Sequence, residues 1–187
     1  GTGIGKTFAY LTAGILHGKC RAAEGRPQRP ILISTSSIAL QGAIIHDYLP
    51  FLSKVMMADG MLDSPLRAVL RKGKSHYVCD ARLMKRLQTA NLDRKNPLAK
   101  AALLSMRDHL DLDMAPHLSG YDRERICVPP TCDCGKTECR YLCYLDVCAS
   151  ERYAIQVCNH NLLLADAIHQ GSGKRPILPD SCAIVMD

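Results

Sequence analysis

The chain opens with glycines placed immediately ahead of a lysine and a threonine, in the segment GTGIGKT. Glycines let successive backbone N–H groups turn towards one anion, and the N-terminus of a following helix adds a favourable dipole. In such a loop Lys6 would reach the β- and γ-phosphates of a nucleotide, and the Thr7 hydroxyl would bind Mg²⁺. The alternative is a glycine-rich turn that happens to precede a helix. The predicted phosphate-binding residues are Gly1, Thr2, Gly3, Ile4, Gly5, Lys6 and Thr7.

The last six residues, CAIVMD, form an apolar run that ends in the carboxylate of Asp187. A buried parallel strand brings a magnesium-binding aspartate to the carboxyl edge of a sheet in this way. Asp187 is a weak signal by itself, so its role depends on the phosphate loop. The first small residue of the phosphate-loop pattern would lie one position before Gly1. We therefore expect the chain to be a piece of a longer protein, beginning and ending within two nucleotide-site motifs.

Ten cysteines form the second chemical signal. The first residues do not read as a secretory signal, so we expect metal or catalytic thiols in a reducing, cytoplasmic compartment. Four thiolates can hold either tetrahedral zinc or an iron–sulfur cubane. Zinc ribbons usually contain Cys-x-x-Cys pairs, which are absent here, whereas one distant and three clustered cysteines suit a cubane. The candidates are Cys79, Cys127, Cys132, Cys134, Cys139, Cys143 and Cys148.

The remaining cysteines, Cys20, Cys158 and Cys182, lie in apolar or helical contexts, so we predict that they are small core residues. With 47% hydrophobic residues, the chain can bury a core, and it contains no apolar run of the ~18 residues that a membrane span needs. The formal net charge of +6 permits a nucleic-acid partner without requiring one.

The hydrophobic pattern alternates between helices and short buried strands, which predicts a parallel α/β sheet. We expect Pro50 to kink or break the helix that begins at Ile38. This alternation of helices and strands is interrupted from Gly73 to Ala149 by a segment rich in charged residues, helix formers and cysteines. The predicted helices are 7–18, 38–55, two or three within 80–117, and 161–169, and the predicted strands include 31–35 and 153–157.

Taken together, these motifs resemble the DinG/XPD family of iron–sulfur DNA helicases, a branch of helicase superfamily two. GTGIGKTFAYL is similar to motif I, the Walker A loop, and ISTSSIALQ (33–41) is similar to motif Ia. KGKSHYVCDARL (72–83) resembles the segment that leads into the family's cysteine cluster, and CDCGKTECRYLC resembles the cluster itself. QVCNHNLLLADA (156–167) is similar to the segment that follows it. AIVMD resembles the opening of motif II, the DEAH box.

The resemblance implies a RecA-like P-loop NTPase domain that carries an inserted, mostly helical iron–sulfur domain. The implied division is 1–72 and 150–187 for the RecA-like domain and 73–149 for the insertion. The implied activity is ATP-dependent 5′–3′ translocation on single-stranded DNA, with the cluster domain beside a duplex junction. The 187 residues alone would not turn over ATP, because the catalytic glutamate would lie past Asp187. A membrane partner is not expected, and the implied cofactors are ATP, Mg²⁺ and a [4Fe–4S] cluster, with Zn²⁺ as the alternative.

The resemblance also implies roles for individual residues. Cys79, Cys134, Cys139 and Cys143 would hold the cluster, with Cys132 or Cys148 as substitutes. Ser34, Thr35 and Gln41 would lie where motif Ia meets single-stranded DNA. Arg71, Lys72 and Lys74 would contact DNA phosphates unless they form a solvated basic turn. Asn159 and His160 would have a helix-capping, structural or DNA-contact role.

Three other interpretations stay open at this point. One is a zinc-stabilised nucleic-acid-binding module on a degenerate P-loop fold. Another is a P-loop enzyme that acts on a small substrate, such as a kinase. The third is a DinG-like helicase from a CRISPR or plasmid locus.

Overall fold

A computed structural model describes residues 5–89, 97–132, 139–150 and 152–187. The chain divides into two compact units. The first consists of Gly1–Lys72 and Val147–Asp187, and the second of Gly73–Asp146. The cysteines and the phosphate loop of the sequence analysis are distributed over both, so each unit is described in turn.

The first unit is built on a four-stranded sheet in which every strand is parallel to its neighbours. The strands are β1 (Ile31–Ser34), β2 (Ala68–Leu70), β3 (Ile155–Cys158) and β4 (Ala183–Met186), and their spatial order is β2-β3-β1-β4. Strand β1 pairs with β3 on one side and with β4 on the other. The predicted parallel α/β class is confirmed, and this arrangement is consistent with a RecA-like domain.

Helices cover both faces of this sheet, because strands with two apolar faces must be buried on both sides. Ile33 and Val157 belong to a core that includes Leu11 of α1 (Lys6–Ala23) and Leu52 of α3 (Leu49–Ala58). Residues of the alternate register, including Leu32, pack with Leu162 of α8 (His160–Gly171). The sheet is therefore the middle layer of a three-layer unit.

Helix α1 extends to Ala23, five residues beyond the end predicted at Gly18. Gly18 lies within the helix with open space around it, and the chain turns only at Gly25, whose φ is 70°. The extension places Cys20 on an exposed surface, so the prediction that it is a core residue is wrong. Cys158 is fully buried, as predicted, and Cys182 is partly buried against the main core.

Pro50 does not end the helix, and a π-helical turn comes before it. Helix α2 (Ile38–Ala43) continues through a π-helical segment, Ile44–Tyr48, into α3. The Leu49 N–H bonds the Ile44 carbonyl, a separation of five residues. A proline ring clashes with the carbonyl four residues earlier in an α-helix, and a widened turn relieves that clash.

The second unit is mostly helical and has its own core of Val78, Leu83, Leu103, Met106, Leu112 and Ile126. Its helices are α4 (Asp80–Thr89), α5 (Pro97–Ser105), α6 (Gly120–Ile126) and the first residues of α7 (Arg140–Ala149), with short 3₁₀ turns at Lys74–His76 and Leu112–Met114. The short helices predicted within 80–117 are thus confirmed. In the part of the chain that the structure describes, no helix has the length and hydropathy needed to cross a membrane.

Arg140 stabilises the beginning of α7 within this second unit. Its Nε donates to Oδ1 of Asp80 at 2.7 Å, and its Nη2 donates to the Met106 carbonyl at 3.0 Å. One guanidinium therefore joins α7 to the start of α4 and to the end of α5. It fixes the position of the helix that carries Cys143.

Candidate nucleotide site

The carboxyl ends of the parallel strands bring together residues that are far apart in sequence. Asp187 follows β4, and its N–H donates to the carbonyl of Ser34, the last residue of β1, at 2.9 Å. Thr35 N–H donates to the Cys158 carbonyl, at the end of β3, at 3.1 Å. This edge of a parallel sheet is where α/β proteins bind ligands.

The N-terminus of α1 carries the described part of the predicted phosphate loop. Gly5 is the residue that precedes the helix, and its φ of 73° lies in the left-handed region that glycine adopts without strain. Lys6 and Thr7 occupy the first turn, where unpaired N–H groups and the helix dipole favour an anion. The other four loop residues, Gly1, Thr2, Gly3 and Ile4, lie outside the described residues.

Tyr10 joins this helix to the end of β4. Its hydroxyl donates to Oδ2 of Asp187 at 3.3 Å. Burial, and then the negative charge of Asp187, raise the pKa of Tyr10, while the hydrogen bond with Thr7 acts in the opposite direction. Tyr10 therefore connects the helix that carries Thr7 to Asp187, the other residue predicted to bind Mg²⁺. The sequence analysis missed Tyr10, although its position three residues after Thr7 places it on the same helix face.

Ser34 and His160 form a second connection at the same edge. Ser34 is fully buried, and its Oγ lies 2.6 Å from Nδ1 of His160, the first residue of α8. Asn159 caps that helix by accepting a hydrogen bond from Leu162 N–H at 2.8 Å, which is the capping role that its sequence context predicts. Burial raises the pKa of the Cys158 thiol to about 11, although the Ser34 hydroxyl and the charge of Arg71 oppose that shift.

The three residues predicted to meet DNA in motif Ia are all buried. Thr35 Oγ1 accepts a hydrogen bond from Ser37 N–H at 3.2 Å, and Gln41 Nε2 donates to the Thr35 carbonyl at 2.9 Å. Together with Ser34, they shape the turn between β1 and α2. Residues 36 and 37 of that turn and the first two residues of α2, 38 and 39, are exposed, and Ile38 keeps 83% of its surface accessible. The sequence motif therefore identified the buried residues that support the turn. It did not identify the exposed residues 36–39, which only the burial pattern distinguishes.

Arg71 differs from the expectation of a DNA-contacting or solvated basic residue. It is only 3% exposed, its Nη1 donates to Gln156 Oε1 at 2.8 Å, and its Nη2 donates to the Ile177 carbonyl at 2.8 Å. A guanidinium held in this way cannot reach a phosphate without breaking a buried network, so the expectation is wrong for Arg71. Lys72 is partly exposed, and Lys74, in the second unit, donates to the Pro130 carbonyl.

The cysteines predicted to bind a metal differ in how far they are buried. Cys79 is buried in a cluster with Tyr77, Val128 and Tyr141, and Cys139 packs against the same cluster. Cys143 is exposed one helical turn after Cys139.

The fourth predicted ligand, Cys134, lies outside the described residues. Of the two substitutes, Cys132 is exposed, whereas Cys148 is fully buried in the first unit. Within the described ranges, no three His, Cys, Asp or Glu side chains are arranged like the ligands of a metal ion. The donor chemistry of Cys79, Cys139 and Cys143 fits a thiolate-bound metal, and all three lie in the second unit.

Comparison with known proteins supplies independent information. The ATP-dependent DNA helicase YoaA of Escherichia coli is 28% identical over 196 residues, which cover all of this chain and 28% of that protein. YoaA of Haemophilus influenzae is 26% identical over 205 residues, again covering the whole chain and 28% of the relative. The 3′-5′ exonuclease DinG of Bacillus subtilis is 32% identical over 102 residues, 54% of this chain and 10% of that protein.

The chain thus spans less than a third of the length of the YoaA proteins that it matches. No protein-family model matches it. The similarity to YoaA nevertheless extends from one end of the chain to the other, so it includes both the phosphate-loop segment and the cysteine-rich segment. The chain is thus similar to helicases of the DinG type, to YoaA over its whole length and to DinG over about half of it.

Proposed function

We propose that this chain supplies the nucleotide-binding part of the first motor domain of an ATP-dependent DNA helicase. The observation that carries the proposal is that the Tyr10 hydroxyl of the helix carrying Lys6 and Thr7 donates to Asp187 Oδ2 at 3.3 Å, at the carboxyl edge of the sheet. The relatives named YoaA support the choice of helicase over a small-substrate kinase. Lys6 would neutralise the β- and γ-phosphates, while Thr7 and Asp187 would bind Mg²⁺.

DNA would bind near the turn after β1, which is directly bonded to the proposed magnesium ligand. Asp187 N–H bonds the Ser34 carbonyl, and Ser34, Thr35 and Gln41 support the exposed residues 36–39. A shift of Asp187 with the state of the nucleotide would therefore move this turn. Lys72 and Lys74 would add phosphate contacts.

In the whole protein, ATP binding and hydrolysis would close two RecA-like domains on each other and move a single strand with 5′–3′ polarity. The 187 residues alone would bind ATP with little turnover. This part of the proposal rests on the family resemblance, because the water-positioning glutamate and the second motor domain are features of the family.

The second unit would carry a [4Fe–4S] cluster held by Cys79, Cys134, Cys139 and Cys143, and would lie beside the duplex junction. Its support is that the three described thiols lie at the starts of two helices of one unit: Cys79 directly precedes α4, Cys139 directly precedes α7, and Cys143 lies one turn into α7. Thiolate–iron bonds would cross-link these helix starts. Zinc held by the same thiols is the alternative.

Metal analysis separates the two. Anaerobically purified protein should contain about four iron atoms per chain and absorb near 400 nm, as cubanes do. Cys79→Ser should lose that absorbance, whereas the exposed Cys20→Ser should keep it. Stoichiometric zinc without iron would contradict the cluster assignment and favour the zinc-stabilised module.

The helicase proposal is tested by ATP hydrolysis in the full-length protein that contains this chain. Single-stranded DNA should stimulate hydrolysis strongly. Lys6→Ala should abolish the stimulated rate, and Lys54→Ala, on the exposed surface of α3, should not. A rate that does not respond to DNA would contradict the proposal and favour an enzyme acting on a small substrate.

A further inference from the structure

A cavity of about 460 Å³ lies at the amino edge of the sheet, opposite the candidate nucleotide site. Its lining includes residues that precede or begin all four strands: Ile31, Arg67, Ala154 and Cys182. The end of α1 closes another side of it. The volume falls within the range of pockets that hold small organic ligands. None of the residues discussed for nucleotide or DNA binding lines this cavity.

The charges around the cavity are unbalanced. Among its described lining residues, Asp63 is the one acidic side chain, against five cationic ones: Lys19, Arg21, Arg29, Arg67 and Arg152. Arg29 is partly neutralised, since its Nη2 lies 3.4 Å from Asp180 Oδ2. The other four cations come from three segments of the chain that are distant in sequence. Cations gathered from separate segments around one cavity repel one another, and an anion would relieve that repulsion.

Arg21 provides a second, independent observation. It lies in the last turn of α1, and its Nε is buried without a hydrogen-bond partner among the described residues. Arg21 also lines the cavity, and a guanidinium has a planar fork of donors that matches a phosphate or carboxylate. An anionic group bound in the cavity would be held by the terminal nitrogens of that fork, because the buried Nε is not reached from the cavity.

The rest of the lining is suited to the organic part of a ligand. Tyr153, Pro27 and Leu62 contribute apolar surface to the same cavity. We propose that this cavity binds a phosphorylated small molecule of mononucleotide size, with its phosphate on Arg21 and the neighbouring cations and its organic part on Tyr153. This site is separate from the proposed ATP site, and its existence does not depend on helicase activity.

The test uses adenosine monophosphate as the probe and isothermal titration calorimetry as the measurement. All titrations are made in the Lys6→Ala background, so that binding at the phosphate loop does not contribute. Adenosine serves as the uncharged counterpart of the probe. Arg21→Gln removes the cation and keeps a polar side chain of similar reach. Arg26→Gln is the matched control, because Arg26 is exposed, pairs with Glu24 at 2.9 Å and does not line the cavity.

We expect adenosine monophosphate to bind the Lys6→Ala protein, and Arg21→Gln to weaken this binding by about tenfold or more, since hydrogen bonds to charged groups are the strong ones. Arg26→Gln should leave it unchanged. Absence of binding, equal binding of adenosine, or equal effects of the two substitutions would each overturn the proposal. If Arg21→Gln loses its circular-dichroism spectrum, Arg152→Gln on the exposed wall takes its place and must weaken binding in the same way. A failure of the ATP site would leave these results unaffected.

Discussion

The Tyr10 hydroxyl donates a hydrogen bond to Oδ2 of Asp187 at 3.3 Å, across 177 residues of sequence. Through this bond the first helix of the chain is joined to the end of the last strand. Thr7 lies one helical turn before Tyr10, so the hydroxyl and carboxylate that would bind Mg²⁺ are on elements that this bond joins before any nucleotide arrives. The arrangement is therefore a form of preorganisation.

Removing this hydroxyl should weaken the binding of Mg·ATP without unfolding the chain. Tyr10→Phe keeps the aromatic ring and loses the hydrogen bond to Asp187. Because Asp187 is exposed, we expect only about a two- to fivefold loss of affinity for Mg·ATP. The measurement is titration with ATP in the presence of Mg²⁺. Tyr48→Phe is the control, since the Tyr48 ring packs against Phe8 at a tilt of 54°, with ring centroids 5.0 Å apart, and takes no part in the Asp187 bond. Equal affinities for the two variants would show that the Tyr10–Asp187 bond does not organise the site.

Arg71 should matter for stability rather than for DNA. Arg71→Ala leaves the buried Oε1 of Gln156 and the Ile177 carbonyl without their donors, which should lower the free energy of unfolding by about 2–4 kcal/mol. Urea unfolding followed by circular dichroism measures this. A change below about 0.5 kcal/mol, the range of ordinary surface substitutions, would contradict the buried-network account.

Lys72, the neighbour of Arg71, should behave in the opposite way. It is partly exposed, so Lys72→Ala should leave the free energy of unfolding nearly unchanged. If it contacts a DNA phosphate, the substitution should weaken single-stranded DNA binding equally for all sequences and reduce the slope of log K against log[salt] by about 1. An unchanged slope would remove Lys72 from the proposed DNA contacts.

Cys158 should make the first unit sensitive to alkaline pH. Its pKa is about 11 in the folded chain, because burial disfavours the thiolate, and near 9 when the thiol is exposed. The folded state keeps a proton that the unfolded state releases, so the associated stability is complete below pH 9 and is lost as the pH rises through 11. Between pH 8 and 10.5 the free energy of unfolding should fall by about 2 kcal/mol on this account.

Urea titrations of Cys158→Ala at the same pH values provide the check, because this variant should lack that part of the decrease. Cys20→Ala, at an exposed thiol, should retain it. Parallel pH profiles for wild type and Cys158→Ala would show that the buried thiol is not responsible.

The parallel sheet was predictable because Ile31–Ser34 and Ile155–Cys158 are short apolar runs, and fully buried parallel strands have this composition. The capping role of Asn159 was predictable for a similarly local reason. The π-helical turn before Pro50 was not, since a proline predicts strain but does not say how a helix relieves it. The length of α1 was mispredicted at Gly18 because glycine within a helix and glycine after a helix have the same sequence signal.

The sequence predicts which residues of the candidate site carry motifs, but it does not predict which distant residues they contact. Lys6, Thr7 and Asp187 carry local patterns, whereas Tyr10 matters only because β4 ends beside α1, a relation that no local pattern encodes. In the sequence, Arg71 is indistinguishable from the neighbouring basic residue Lys72. It is buried, and its hydrogen-bonding partner Gln156 is 85 residues away. Sequence spacing identifies residue types, but burial and distant partners decide which of them face solvent.

The most direct test of the central claim is the affinity of the 187-residue chain for Mg·ATP, measured by calorimetry for the wild type and for Lys6→Ala. We expect the wild type to bind and Lys6→Ala to bind at least about tenfold more weakly, because the lysine would contact phosphates through charge-assisted hydrogen bonds. Lys54→Ala should bind like the wild type. Equal affinity of Lys6→Ala and wild type for Mg·ATP would contradict the account.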